Sequence, residues 1–359
     1  MESGPLVALL RELVELESPT YSPGVRVVAE RMAAELEALG ARVSLADGGH
    51  VVAELAGEGE PLLVLGHTDT VWPEGTIEEL PFRIEGDRAY GPGAYDMKAC
   101  LVLVLEAIRL AGPKRRALRV FLTADEEQGS RTGRPLLEQA AEGVAAALVV
   151  EPTTPSGDLK TSRKGLGRFR LTVTGRPAHA GNSRSDGVSA IEELAHQLPA
   201  LHSLHDEGSG ISFNVGVVRG GTSENVVAAT AEAQIDVRVR STRDLARAER
   251  LLAELRPVLE GAVLELSGGW TRPPLERSSG SSRLFAKARE HGARLGLDLK
   301  ESSSGGGSDG NLVGALGVPV LDGLGVEGAG AHAVDEHVLL PSLPVRARLL
   351  ARLLEDPGL

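Results

Sequence analysis

The stretch LLVLGHTDTV at residues 62–71 constrains the fold more than any other. An apolar run that reads as a buried strand stops abruptly in Gly66, His67, Thr68, Asp69 and Thr70. A His and an Asp buried at a strand end are costly unless something pairs with them. Two further apolar runs end in the same way: LRVFLTAD (118–125) leads into Glu126 and Glu127, and AALVV (146–150) leads into Glu151 and Pro152. In open α/β sheets the carboxyl ends of the strands line the site crevice, so three strands are expected to deliver an imidazole and several carboxylates to one sheet edge. Asp96, in YGPGAYDMKAC (90–100), stands just before an apolar helix, and a late His332 lies in the small-residue loop GAGAHAVDEHV (328–338).

The patterning around these runs alternates helix and strand. Helices are expected over 5–17, 24–39, 97–111 and 132–142, and strands over 41–46, 50–55, 61–66, 117–123 and 145–150. The middle differs. Strands at 168–175, 211–221, 230–240 and 262–268 and helices at 187–202 and 242–259 follow the order β-α-β-β-α-β, a ferredoxin-like unit. After WTRPPLE (270–276) the alternation resumes, with a helix at 281–295, a glycine-rich turn at 304–310, a strand at 318–321 and a helix at 341–354. The expected fold is therefore α/β. Residues 1–162 and 273–359 form a catalytic domain with a mixed sheet flanked by helices, and 163–272 form an inserted α+β domain. A chain of 359 residues suits two domains.

Composition narrows the partners. The net charge is −12 with no basic run interleaved with aromatics, which argues against nucleic acid and anionic membrane. The single cysteine, Cys100, excludes an internal disulfide and a thiolate zinc site. The first residues, MESGPLVALLRELVELESPTYSPG, have helical apolar spacing rather than a secretory pattern. With no membrane-spanning run, a cytoplasmic protein is expected.

Each acidic residue has an ordinary explanation when taken alone. Asp96 can cap a helix, Glu126 and Glu127 can open one, and Glu151 can simply end a strand. Together they would repel one another at one edge unless cations held them. Oxygen and imidazole donors without sulfur suit zinc, with manganese or cobalt as alternatives. His67 is then a ligand, and Asp69 can hold its other ring nitrogen. Of the pair Glu126–Glu127, one binds metal and the other acts as general base.

These motifs resemble the co-catalytic dizinc exopeptidases and deacylases of clan MH, among them glutamate carboxypeptidase (carboxypeptidase G), acetylornithine deacetylase, succinyl-diaminopimelate desuccinylase and peptidase T. The likeness covers nearly the whole chain and rests on GHTDTV, GPGAYDMKA, ADEEQGS, VVEPT, GRPAHAG, ENVV followed by IDVR, GGGSDGN and GAHAVDEHV, in that order. The resemblance implies two zinc ions per subunit. His67, Asp96 and Glu151 hold one, Glu127 and His332 hold the other, and Asp96 bridges them. It also implies Glu126 as general acid/base, Asp69 orienting His67, and His179 stabilising an oxyanion across a homodimer formed by the inserted domain. Asn225, Arg238 and Arg272 are implied as groups that grip a substrate carboxylate, and the loop Gly306, Gly307, Ser308 as a substrate contact. Ala94–Tyr95 before the bridging Asp96 departs from a fixed family pattern. The texture of GHTDTVWPEGT with GPGAYDMKA is closer to the glutamate carboxypeptidase branch, so the expected reaction is release of a C-terminal amino acid from a peptide or N-acyl amino acid, with N-acyl deacylation as the alternative. Two rivals stand beside it. Gly306, Ser308 and Gly310 have the spacing of a nucleophile elbow, with Asp322 and His332 in the order of a serine hydrolase. A metal-stabilised scaffold without catalysis is the other, and a carboxylate left outside a closed coordination shell speaks against it.

Overall fold

The computed structural model of the chain describes residues 4–206, 208 and 210–359. Its strands, numbered in chain order, are β1 (Arg42–Leu45), β2 (Val51–Leu55), β3 (Glu58–His67), β4 (Arg83–Glu85), β5 (Arg88–Tyr90), β6 (Arg116–Thr123), β7 (Ala146–Val149) and β8 (Leu159–Arg163), then β9 (Gly165–Thr174), β10 (Ser212–Gly220), β11 (Thr230–Val239), β12 (Val263–Arg272), β13 (Glu301–Ser304), β14 (Val320–Leu321), β15 (Gly328–Ala329) and β16 (His337–Leu339). The chain separates into two compact units. One comprises Met1–Ser162, Arg277–Ser304 and Ser308–Leu359, and the other Arg163–Glu276 with Gly305–Gly307.

In the first unit, β3 is buried continuously over Leu62–His67. It does not alternate because a parallel sheet is covered on both faces. The sheet order is β1-β2-β6-β3-β7-β14. β6, β3, β7 and β14 run parallel, and β1 and β2 close one side in antiparallel fashion. Parallel strands leave a sheet at the same edge. His67 pairs with Thr123 and Leu65 with Val149, so the segments that follow β3, β6 and β7 emerge side by side. The helix Ala99–Ala111 buries Cys100 through Leu105 without a polar face and packs against the helix Ser342–Leu354. It begins at Ala99, after an irregular turn over Ala94–Lys98, rather than at 97. The glycine-rich turn is likewise shorter than expected, since the helix Asp309–Ala315 starts inside it.

Two small sheets were not anticipated. β13 pairs with β8, and β15-β16-β5-β4 form a four-stranded sheet. The strands of the latter have two or three residues, too few for a period to show. Antiparallel pairing of β16 with β5 sets His337 opposite Tyr90, which brings the loop after β5 against the loop before β16.

The second unit alternates strictly. Along β11, Ala231, Ala233, Ile235, Val237 and Val239 are buried and the residues between them are not, the mark of an antiparallel sheet with one covered face. The order β10-β11-β9-β12 is antiparallel throughout. The helices Ala190–Ser203 and Thr242–Ala253 contribute Leu194, Leu201 and Leu252 to a core with Leu171, Val173, Phe213 and Ile235. Both helices start on a serine cap: Ser189 accepts the N–H of Glu192, and Ser241 that of Asp244. The connectivity is the expected βαββαβ. Leu275 and Arg163 exchange backbone hydrogen bonds of 3.0 and 2.9 Å, which places 273–276 with this unit. Among the described residues, no helix of the chain is long and apolar enough to cross a membrane.

The helix expected over 242–259 ends at Ala253. Pro257 disfavours helical geometry at Arg256, and the N–H groups beyond it find another acceptor. The buried Glu193 carboxylate takes the N–H of Val258 (3.0 and 3.1 Å) and Leu259 (2.7 Å) and the Gln197 amide (2.6 Å). Burial opposes its ionisation, but the bonds from Leu259, Gln197 and Val258 prevail and hold its carboxyl below the ordinary range. A depressed pKa contributes stability above the unfolded value and loses it as pH falls through the folded one. Glu193→Leu is expected to destabilise the second unit by on the order of 3 kcal/mol at neutral pH. In denaturant titrations the gap from wild type should narrow below about pH 4; a pH-independent gap would contradict this account.

Candidate metal centre

His67 closes β3 and is buried, with its ring between the strand exits. Its Nδ1 lies 2.9 Å from the Asp69 carbonyl oxygen, and its Nε2 3.2 Å from Asp96 Oδ1 and 3.6 Å from Glu151 Oε1. A carbonyl only accepts, so in the neutral ring Nδ1 carries the hydrogen and the Nε2 lone pair faces two carboxylates. The second cluster repeats this chemistry. His332 Nε2 is 3.2 Å from Glu127 Oε1 and 3.4 Å from Asp96 Oδ2. His67, Asp96 and Glu151 form one group and Asp96, Glu127 and His332 the other, with the donor atoms of each within 4.8 Å of one another. Asp96 belongs to both, one oxygen turned to each.

Electrostatics shows what these donors suit. Burial opposes a charge on His67, yet its contacts with Asp69 and Asp96 prevail and raise its pKa well above the ordinary value. Hydrogen bonds to Asp96 and Glu127 push His332 up to about 10. Burial pushes Glu127 up to about 7 against the His332 bond. Burial alone would raise Asp96 as well, but the bonds from His332 and His67 hold it well below the carboxylate range. Three crowded carboxylates draw protons onto two imidazoles. Lone pairs aimed at carboxylates, all from oxygen and nitrogen donors, fit divalent cations.

The surroundings hold these donors in place. The buried Asp69 carboxylate accepts the N–H of Glu126 (3.1 Å) and Glu127 (3.2 Å) and the Thr20 hydroxyl (2.7 Å). It lies 3.4 Å from His67 Nδ1. The backbone carbonyl of Asp69 therefore makes the nearer contact with the ring, and the side chain, expected to do so, grips the turn that carries Glu126 and Glu127. Asp125 anchors the other side of that turn, taking the N–H groups of Thr132 and Gly133 and the Thr132 hydroxyl. Tyr95, at the departure from the family pattern, is buried, and its hydroxyl donates to the Thr153 carbonyl at 3.0 Å. It thus ties the Asp96 segment to the strand exit that carries Glu151. Gly328 is needed beneath it, since a Cβ there would stand 2.6 Å from the Tyr95 ring. His332 takes a left-handed backbone, φ 65°, and is half exposed. The Asp96–Met97 peptide is cis. Glu336, four residues past His332, was not anticipated. It accepts from Trp72, Gly93, Tyr95 and Asp96.

The other expected site residues divide between the units. His179, Asn225, Arg238, Arg272, Gly306 and Gly307 belong to the second unit and Ser308 to the first. His179 and Asn225 are neighbours there, because His179 bridges to Val226 and the Ala180 N–H donates to the Asn225 carbonyl. His179 Nδ1 accepts the N–H of Gly181 and Asn182 at 3.1 and 3.2 Å. Arg238, expected to grip substrate, is engaged elsewhere: three of its nitrogens bind the Asp236 carboxylate and the Gly305 carbonyl. The buried Arg163, not foreseen, donates to the carbonyls of Gly306 and Gly307, and a Cβ on Gly307 would lie 2.7 Å from Arg272 Cδ. Ser308 is fully buried as the cap of the helix Asp309–Ala315, donating to Asp322 at 2.6 Å and accepting from the Gly310 N–H. That position removes it from substrate contact and from the nucleophile role, since its hydroxyl meets Asp322 directly with no imidazole between them.

Comparison with known proteins identifies the family. Residues 63–356 match Peptidase family M20/M25/M40. Carboxypeptidase G2 of Pseudomonas sp. (strain RS-16) is 31% identical, the alignment covering 99% of this chain and 90% of that protein. Succinyl-diaminopimelate desuccinylase of Thioalkalivibrio sulfidiphilus (strain HL-EbGR7) is 31% identical over 83% of this chain and 84% of that one. The fold superposes on an M20 family metallo-carboxypeptidase from Sulfolobus solfataricus with a TM-score of 0.80 at 18% identity, covering 98% and 99% of the two chains. The chain belongs to peptidase family M20/M25/M40 and is a metal-dependent enzyme of the peptidase and amidohydrolase class.

Proposed function

We propose that the enzyme hydrolyses an amide bond next to a free carboxylate, releasing a C-terminal amino acid such as glutamate from a peptide or N-acyl amino acid. The observation that carries this reading is the pair of clusters sharing Asp96, with Glu126 beside the ligand Glu127 on a turn fixed by Asp69. The likeness to carboxypeptidase G2 supports the substrate class. His67, Asp96 and Glu151 would hold one divalent ion, and Asp96, Glu127 and His332 the second; zinc suits the donors best, then cobalt or manganese. Such ions supply Lewis acidity that polarises a carbonyl and acidifies a water.

The protein's own groups then have defined tasks. Glu126 takes a proton from the attacking water and returns it to the leaving nitrogen. The Asp69 carbonyl keeps the hydrogen of His67 on Nδ1, so Nε2 stays a donor of electrons. Because His179 Nδ1 accepts two backbone N–H groups, its neutral ring carries hydrogen on Nε2 and offers it to an oxyanion. Asn225 and Arg272 serve the substrate carboxylate. A homodimer through the second unit is consistent with β10, an edge strand of its sheet whose Val217 and Val218 are exposed.

The test is a mass-spectrometric hydrolysis panel on zinc-loaded protein, spanning N-acyl glutamates, N-succinyl-diaminopimelate, N-acetylornithine and dipeptides. Cleavage is expected to require a free C-terminal carboxylate. Cleavage confined to N-succinyl or N-acetyl amines would instead place the enzyme with the desuccinylases. Glu126→Gln is expected to keep its metal, read by elemental analysis, and to lose turnover by about 10²-fold or more; near-normal activity would remove Glu126 from its role. Chelation should abolish hydrolysis, and added zinc, cobalt or manganese should restore it. His179→Ala should lower kcat far more than it raises KM, and an effect on KM alone would make His179 a binding group.

A further inference from the structure

We propose that Glu336 is a positioning residue that fixes Asp96 between the two metal clusters by tying three ligand-bearing loops to one buried carboxylate. The inference rests on the metal-centre reading above. Glu336 is 2% exposed. Its Oε1 accepts the N–H of Tyr95 at 2.9 Å and of Asp96 at 3.0 Å. Its Oε2 accepts the N–H of Gly93 at 3.0 Å and the Trp72 indole at 2.7 Å. Each oxygen thus receives two donors, and one of them is the N–H of the shared ligand itself.

Each of the three segments held in this way carries a ligand, while Glu127 and Glu151 arrive on others. Trp72 lies five residues past His67 on the exit from β3, Gly93–Asp96 deliver the shared carboxylate, and Glu336 lies four residues past His332 on its loop. Pairing of β16 with β5, extended by the Gly91 N–H to the Glu336 carbonyl (3.4 Å), brings the last two together. All four donors are neutral N–H groups, so an ionised acceptor binds them more strongly than a neutral one. An amide in its place keeps the shape but turns an NH₂ toward two donors. The Asp96 segment would then shift, and both clusters would change together because Asp96 serves both.

The experiment titrates zinc into folded, metal-free protein by competition with a chromophoric chelator, for wild type, Glu336→Gln, Trp72→Phe and His337→Ala, with kcat and KM measured at saturating zinc. In Glu336→Gln, both zinc affinities are expected to fall by about tenfold to a hundredfold, with KM within about twofold of wild type and kcat recovering as zinc is raised. Trp72→Phe, which removes one of the four donors, should shift both affinities in the same direction by less. It carries the test if Glu336→Gln fails to fold. His337→Ala, altering the adjacent residue at the start of β16, should leave both affinities near wild type, because the β16–β5 pairing runs through the backbone. Wild-type affinity in both the Glu336 and Trp72 variants would overturn the proposal, as would an equal loss in His337→Ala. The titration uses no substrate, so a wild type that binds two zinc ions but cleaves nothing in the panel would defeat the proposed reaction and leave this inference to the affinities. A wild type that binds no zinc would overturn both.

Discussion

Repulsion among three carboxylates at one sheet edge is the constraint on which the rest of the first unit depends. Parallel strands β6, β3 and β7 deliver the residues after Thr123, Val149 and His67 to the same place, and Asp96 is carried in from a separate turn. Such a cluster is tolerated in a folded protein when positive charge is shared among its members. The raised pKa values of His67 and His332 show protons drawn into that position, and divalent cations fill the same need more completely. The positions of Asp69, Asp125, Tyr95 and Glu336 follow from it, because donors that repel one another stay in place only if neighbouring backbone is fixed.

The means of fixing are of one kind. Buried acids accept several backbone N–H groups where regular secondary structure stops: Asp69 on the Glu126–Glu127 turn, Asp125 on the turn that follows, Glu336 on the Asp96 segment, and Glu193 in the second unit. Each converts an irregular stretch with unpaired donors into a defined shape. The ligand-bearing loops therefore owe their geometry to side chains more than to helix or sheet.

This explains what could be read from the residues and what could not. The candidate metal donors are legible because apolar strand runs ending in His or Glu are conspicuous, and the βαββαβ order is legible because β9 to β12 are long enough to alternate. Glu336 and Arg163 left no such trace. Their partners include backbone groups, for Glu336 as many as 243 residues away, and an acid in a loop otherwise reads as solvated. Ser308 is ambiguous for the opposite reason: a G-x-S-x-G spacing fits a helix cap as well as a nucleophile or a substrate loop, and its burial as the cap of Asp309–Ala315 favours the cap. Arg238 alternates along β11 as a solvated residue does, and Asp236, two residues back on the same face, takes its guanidinium. The helix that stopped early at Ala253 did carry a visible signal, Pro257, whose effect reaches back to the preceding residue.

The reciprocal backbone bonds between Arg163 and Leu275 have a consequence for how this architecture changes over time. They join the ingoing and outgoing ends of the second unit at a single rung. A module with its own core and adjacent ends can be exchanged at little cost to its host, as insertions elsewhere show. Apart from Gly305–Gly307, the unit draws its residues from one continuous segment. The two units can therefore diverge at different rates: the first is held by charge balance around its candidate ligands, while the second can be lengthened or resurfaced away from His179, Asn225 and Arg272 as long as that rung is kept.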